Sequence, residues 1–267
     1  MGVFVREVSA EVNNETIVFF RNMVAALIFI PLIAKRRGKF LKTERIGLHL
    51  FRTVSGLTAM YCFFYLIGTL KLTDAMLFNY SAPIYIPIIA WFWLSEPLSK
   101  KQYYSVIVGF IGVLMILKPT QGILNINSLA GLAAGSLAAC AFLSVQQLGK
   151  TESPLLTVFY FSFFSTIISA VPMLWAYQPL TQSQLLQLIT VGVLATMSQF
   201  CLTKAYSLAP ASQISPVQYL SIVFAGIFGW VLWSEVPDIW SYGGAAFIIG
   251  AALLTLQFNR KAKPVKP

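Results

Sequence analysis

The stretch WLSEPLS at Trp93–Ser99 returns as LWSEVPD at Leu232–Asp238, and each copy sits between two long hydrophobic runs. Setting Glu96 on Glu235 places Ser95 on Ser234, Trp91 on Trp230 and Tyr80 on Tyr219. A similar offset sets TIVFFR and Pro31, from Thr16 onward, against TVFYFS and Pro172, from Thr157 onward. Duplicated hydrophobic spans are the pattern of secondary transporters, whose two repeats rock about a central site. The repeat therefore predicts a membrane protein built from two related halves.

Composition points the same way. Of 267 residues, 57% are hydrophobic and 10% charged, with a mean hydropathy of +0.74. Soluble domains carry roughly 25% charged residues, so this much apolar surface calls for lipid as its solvent. A net charge of +10 in a soluble protein would suggest a nucleic-acid partner. Here Lys and Arg gather in short loops, where membrane topology explains them, and no nucleic acid is expected. Cys62, Cys140 and Cys201 each lie inside an apolar run and His49 is the single histidine. No disulfide framework, metal site or cofactor follows from them. Met1–Val12 lacks the apolar core of a signal peptide and carries Arg6, Glu7 and Glu11.

A bilayer core about 30 Å thick needs roughly 20 apolar residues per helix. Nine segments qualify: Thr16–Ala34, Ile46–Thr69, Thr73–Leu94, Gln102–Leu117, Ser128–Gln147, Pro154–Tyr177, Gln184–Tyr206, Ala211–Ser234 and Ile239–Gln257. All are read as helices, because a helix satisfies its own backbone in lipid. Lys35, Arg36, Arg37, Lys39, Lys42 and Arg45 load the first loop, and Arg260, Lys261, Lys263 and Lys266 the tail. Both should face the cytoplasm by the positive-inside rule. Lys100 and Lys101 then fall inside, Glu235 and Asp238 outside, and the two SE loops on opposite faces. Such repeats are inverted. The expected division is an N-terminal repeat at 1–119 with four helices, a C-terminal repeat at 128–258 with five, and a basic tail at 259–267. Ser128–Gln147 finds no partner by offset, so the chain reads as a ten-helix carrier lacking its first helix.

These residues carry a family resemblance. FFRNMVAALIFIPL around Arg21, the SEP and SEVPD loops, AYSLAPASQISPVQY at Ala205–Tyr219, and Gly112 and Gly250 together resemble EamA-like members of the drug/metabolite transporter superfamily. The resemblance spans the chain from Val12 onward. It implies an all-α membrane fold of two inverted five-helix halves around a cavity open to alternate faces. It also implies a small-metabolite substrate, such as an amino acid or derivative with S-adenosylmethionine among the candidates, and the inner (plasma) membrane of a bacterium.

The leading expectation for the binding site is a matched pair of polar-proline segments. Asn79 and Tyr80 precede Pro83 and Pro87, while Gln218 and Tyr219 follow Pro216. Proline frees a backbone carbonyl, and broken helices tend to form transporter sites. Tyr61 and Tyr65, four apart on one helix face, and Gln199 are expected on the cavity walls. Membrane-depth hydroxyls need a partner, although a bond between helices would serve as well. Arg21 is a candidate anchor or gate, because an intramembrane charge usually faces a cavity or partner. It lies about one and a half turns deep, so snorkelling competes with that role. A site of aromatics and neutral amides without a carboxylate suits a small polar substrate with an apolar part. Gly131 and Gly135 form a small-residue strip that allows close helix packing.

The rival readings are a non-transporting scaffold derived from such a carrier and, more remotely, an integral membrane enzyme. The latter lacks a clustered acid, base or metal set, so no enzyme is expected. The partners foreseen are a small-molecule substrate and the bilayer, with the chain a monomer or weak homodimer. Glu96 and Glu235 repeat but stand at span ends beside proline, and Asp74 opens its helix, where a carboxylate suits the positive dipole end. Transport without proton coupling follows, by facilitated diffusion or exchange. Reporter fusions after Gly38 and after Phe258 should both report cytoplasm; a periplasmic signal at either would overturn the nine-span topology.

Overall fold

Lipid offers the backbone no partner, so each long apolar run closes its own hydrogen bonds as a helix. The computed structural model describes residues 1–9, 11–34, 41–69, 81–95, 100–117, 126–234 and 238–261. In chain order these form α1 Gly2–Val8, α2 Asn14–Ala34, α3 Ile46–Thr69, α4 Ala82–Leu94, α5 Lys100–Leu117 and α6 Ile126–Leu148. There follow α7 Pro154–Ala176, α8 Gln182–Leu208, α9 Ala211–Ile214, a 3-10 helix Ser215–Tyr219, α10 Leu220–Trp233 and α11 Ile239–Lys261. Among the described residues there is no strand. By length and composition, Asn14–Pro31, Leu129–Leu148, Pro154–Ala176 and Gln182–Leu208 can cross a bilayer, while Ala82–Leu94, Tyr103–Met115 and Tyr242–Ala251 are shorter apolar helices. Outward side chains such as Leu174, Phe92 and Val231 are exposed, as lipid-facing positions are.

Two elements differ from the sequence reading. The segment before Thr16 contains α1, whose Val5 and Val8 are buried. The helix expected over Ala211–Ser234 is broken into α9, the 3-10 helix and α10. Pro216 has no N–H to donate and clashes with the turn before it, so the chain tightens there before resuming as an α-helix. Asp74, Asn79, Tyr80, Glu96 and Glu235 lie outside the described residues.

The chain divides into two compact units, Met1–Phe64 with Ser144–Leu208, and Tyr65–Leu143 with Ala209–Pro267. In the first unit α2 packs on α7 and α8, and α1 on α8. One core joins Val8, Val12, Ile17 and Leu188; another joins Phe29, Val158 and Phe159. A side chain at Gly192 would meet Val24 Cβ at 2.5 Å, so this glycine lets α2 and α8 approach closely.

In the second unit α5 and α11 are the most extensively packed pair. Ser105 Oγ donates to the Ala251 carbonyl at 2.7 Å. The ring of Tyr219 is fully buried with Val113 and Ile248. Ser95 and Ser234, matched by the repeat, are the non-glycine residues with positive φ among those described, at 53° and 55°. A left-handed residue commonly ends a helix, and here the same serine closes α4 and α10. Helices matched in sequence are also neighbours in space: α2 with α7 in one unit, α5 with α11 in the other.

The two glycines that carried the family resemblance play different parts. A methyl at Gly112 would lie 2.7 Å from the Gly244 carbonyl oxygen and 2.9 Å from Phe247 Cβ, whereas nothing lies within 4 Å at Gly250. Gly112→Ala should therefore cost about 1–3 kcal/mol through overpacking. Gly250→Ala should be neutral or gain up to about 1 kcal/mol in helix propensity. Thermal unfolding of the purified variants measures both, and the opposite order would deny that Gly112 seats α5 on α11.

Candidate functional site

The first unit draws its polar side chains from four apolar helices. On α2, Arg21 and Asn22 are buried at 7% and 1% exposure. Arg21 Nη1 donates to Asn22 Oδ1 at 3.2 Å and to the Met60 sulfur at 3.0 Å. Asn22 Nδ2 donates to the Val18 carbonyl at 2.9 Å. These bonds hold the two side chains in fixed orientations.

On α3, His49, Arg52, Gly56 and Met60 follow at spacings of three and four, which puts them on one face. Arg52 is 4% exposed. Its Nη2 donates to Gln199 Oε1 of α8 at 3.2 Å, and its guanidinium carbon lies 4.0 Å from the Phe161 ring centre on α7. Gly56 makes room for this group, since any side chain there would run into the Arg52 guanidinium. A narrow crevice lined by Arg21, Asn22, Phe161, Ser162, Thr196 and Gln199 lies between α2, α7 and α8, with room for about one water. Arg21 and Ser162 occupy matched positions of the repeat, so the duplication brings a cation and a hydroxyl to one cleft.

The electrostatics are one-sided. The hydrogen bonds and ring contact of Arg21 and Arg52 go to two amides, a thioether and an aromatic face, and neither forms an ion pair with a described Asp or Glu. Their charges repel each other. Arg52 Nε and Ser165 Oγ are buried without a hydrogen-bond partner among the described residues. One arginine at the centre of a membrane helix costs about 2.5–3.5 kcal/mol on insertion scales. Groups kept at such cost commonly mark substrate or ion pathways.

His49 lies in the same unit, toward the start of α3. It is 1% exposed, its ring centroid is 4.5 Å from that of Tyr160, and both its nitrogens lack a partner among the described residues. Tyr160 Oη donates to the Leu41 carbonyl, and Thr43 Oγ1 to Glu152 Oε1, both at 2.6 Å. The histidine is thus packed inside the unit as well as being adjacent to the basic loop.

The structure brings two of the expected site residues, Arg21 and Gln199, to one cleft. Tyr61, on α3, is half-buried in the first unit, and its hydroxyl has no partner among the described residues. Tyr65 is assigned to the second unit and is 51% exposed. Gln218 and Tyr219 are also in the second unit. Tyr219 was expected to face the central cavity; its ring is packed into the core against Gly109, and its buried hydroxyl has no partner among the described residues. Asn79 and Tyr80 fall outside the described residues. Asn22, Arg52, Phe161, Ser162 and Thr196 are additions from the structure. The available signal for Arg52 was a basic residue inside an apolar helix, one turn before a glycine.

The chain matches the EamA-like transporter family over residues 1–118 and 125–257. This protein belongs to the EamA-like transporter family. It is 30% identical to the pseudopaline exporter CntI of Pseudomonas aeruginosa over 256 residues, which is 95% of this chain and 89% of that one. It is 26% identical to a riboflavin transporter of Brucella anthropi, covering 90% and 87% of the two chains. It is also 26% identical to an S-adenosylmethionine uptake transporter of Rickettsia bellii, covering 99% and 91%. A solved crystal structure shares the fold with a TM-score of 0.81 at 13% identity, covering 98% of this chain and 93% of that one. As an EamA-like transporter, the chain is a multi-pass integral membrane protein that moves small molecules.

In this transporter Gly56 and Arg52 should be energetically coupled. Gly56→Leu should lower stability by about 1–3 kcal/mol, the usual cost of overpacking. In Gly56→Leu/Arg52→Ala the leucine takes the vacated volume, so the double variant should lose less than the sum of the single changes. Simple additivity in thermal unfolding would show that the glycine does not serve the arginine.

Proposed function

We propose that this chain is a secondary carrier that moves a small metabolite, an amino acid or a derivative of one, by alternating access. The carrying observation is the polar crevice between α2, α7 and α8 at Arg21, Asn22, Thr196 and Gln199, with Arg52 of α3 bonded to Gln199 at its edge. Polar groups at this depth need either each other or a wet, ligand-filled space, and Arg52 Nε and Ser165 Oγ have no hydrogen-bond partner among the described residues. The names of the relatives supply test substrates: pseudopaline, riboflavin and S-adenosylmethionine. S-adenosylmethionine is an amino-acid derivative and is the first choice. Gln218, on the segment broken at Pro216, is a second candidate contact, with Asn79 and Tyr80 at the repeat-matched region.

The flux is read as facilitated or exchange, with the carrier a monomer or weak homodimer. A proton-driven carrier generally titrates a carboxylate or histidine within the membrane. Among the described residues Glu7 is in α1, Glu15 in the first turn of α2, and Glu11, Glu44, Glu152 and Asp238 lie between helices. None of these carboxylates stands in the interior of a long apolar helix, and the histidine, His49, lies in the first turn of α3.

Liposomes loaded with S-adenosylmethionine and containing the purified protein should show counterflow of the labelled compound without a pH gradient. Riboflavin runs in parallel as the non-amino-acid comparison. Strict dependence on an imposed proton gradient, lost in Glu96→Gln or Glu235→Gln, would overturn the uncoupled mechanism. Counterflow of riboflavin alone would overturn the amino-acid reading.

A further inference from the structure

Arg21 and Arg52 present two positive charges to one bundle of the first unit, and no described carboxylate answers either. Their present partners are neutral, and several are weak for a cation. Arg21 donates to a thioether; Arg52 rests on the Phe161 ring and donates to the Gln199 amide oxygen. Arg52 Nε is buried and has no acceptor among the described residues. A buried cation is stable when paired and hydrogen-bonded, so among the described residues Arg52 Nε wants an acceptor and both guanidinium groups want a counter-charge.

Geometry localises the deficit. Arg21 reaches Met60, and Arg52 reaches the space over Gly56, on the same face of α3 and four residues apart. That sets the two guanidinium groups on the order of one helical turn apart, ~6 Å along the axis. A planar two-oxygen or tetrahedral anion spans such a gap, and arginine's fork of donors matches both shapes. Thr196 and Ser162 add hydroxyls on the cleft, and Asn22 an amide that already orients Arg21.

We propose that Arg21 and Arg52, the one lining the crevice and the other bonded to Gln199 at its edge, recognise an anionic group of the transported metabolite, a carboxylate or a phosphate, which enters as the crevice widens and is oriented by Gln199. The bound anion supplies the missing counter-charge, so acid-bearing metabolites are selected over their neutral amides. The inference rests on the reading of this cleft as the carrier's substrate site.

The test uses binding without flux, so its failure is distinct from failure of the carrier reading. The purified full chain in detergent is titrated with succinate, with inorganic phosphate and with the neutral succinamide at one ionic strength, following the melting temperature. A ligand that binds only the folded state raises it by mass action. Succinate or phosphate should raise it by several degrees, and succinamide should not; which of the two acts separates carboxylate from phosphate recognition. Gln199→Glu gives Arg52 an internal counter-charge. It should be more stable than the native chain and should bind the effective anion at least tenfold more weakly. Arg52→Gln should likewise lose the response. Equal shifts with succinamide, no shift with either anion, or shifts that persist in both variants would each overturn the proposal. Anion binding by a protein that shows no counterflow would instead refute the carrier reading.

Discussion

The first unit is organised around a guanidinium that has been brought into an apolar bundle without a carboxylate. Arg52 is held by a neutral amide, Gln199, and an aromatic face, Phe161. A hydrogen bond involving a charged group returns about 1.5–3 kcal/mol, and a desolvated cation–π contact about 2 kcal/mol. Those figures are comparable with the insertion cost of one arginine, so Arg52 by itself is tolerable. Arg21 is less well served, with one amide oxygen and one sulfur, and its repulsion from Arg52 adds to the cost. The neighbouring side chains fit this demand: Gly56 is small where the guanidinium must pass, and Asn22 turns its oxygen toward Arg21.

Duplication explains how the scaffold arises. α2 and α7 share the TIVFFR and TVFYFS stretches and pack on each other, as α5 and α11 do after the repeated SE loops. The closing serine at Ser95 and Ser234 keeps the same left-handed backbone in both copies. The chemistry has not stayed symmetric. Position 21 is arginine in one copy and its counterpart, Ser162, is a hydroxyl. A near-symmetric pair of helices thus presents an asymmetric cleft, as required to bind a small molecule in one orientation.

The helices were legible because lipid solvation leaves few choices, and four of those described are long and apolar enough to cross a bilayer. A run of some twenty apolar residues must be a helix, and hydropathy alone finds it. Where the outcome depended on contacts between helices, the sequence was less informative. Gly112 and Gly250 look alike in the chain, yet one faces the Gly244 backbone and the other faces open space. Tyr219 was marked by its neighbour Pro216, but packing with Val113 and Ile248 decides where its ring goes. Arg52 stands close after a loop rich in Lys and Arg and so merges with the positive-inside signal. Only the fold shows it turned inward over Gly56. α1 was too short for any membrane-length pattern, and its valines become core residues only once α8 is beside them.

The bond between Arg52 and Gln199 also ties α3 to α8 within the unit. It is an exchangeable tie, because the amide oxygen brings no counter-charge, whereas a carboxylate or phosphate pairs with a guanidinium through two charged bonds. A carboxylate or phosphate oxygen reaching Arg52 would outcompete the amide oxygen and release Gln199 to use its own donors on the ligand. A covalent or well-paired ionic link between the helices would not yield in this way. The absence of a protein carboxylate beside the described arginines therefore has a mechanical meaning as well as an electrostatic one. On the proposed reading, α3 and α8 are joined by a contact strong enough to order these side chains and weak enough for an anion to replace.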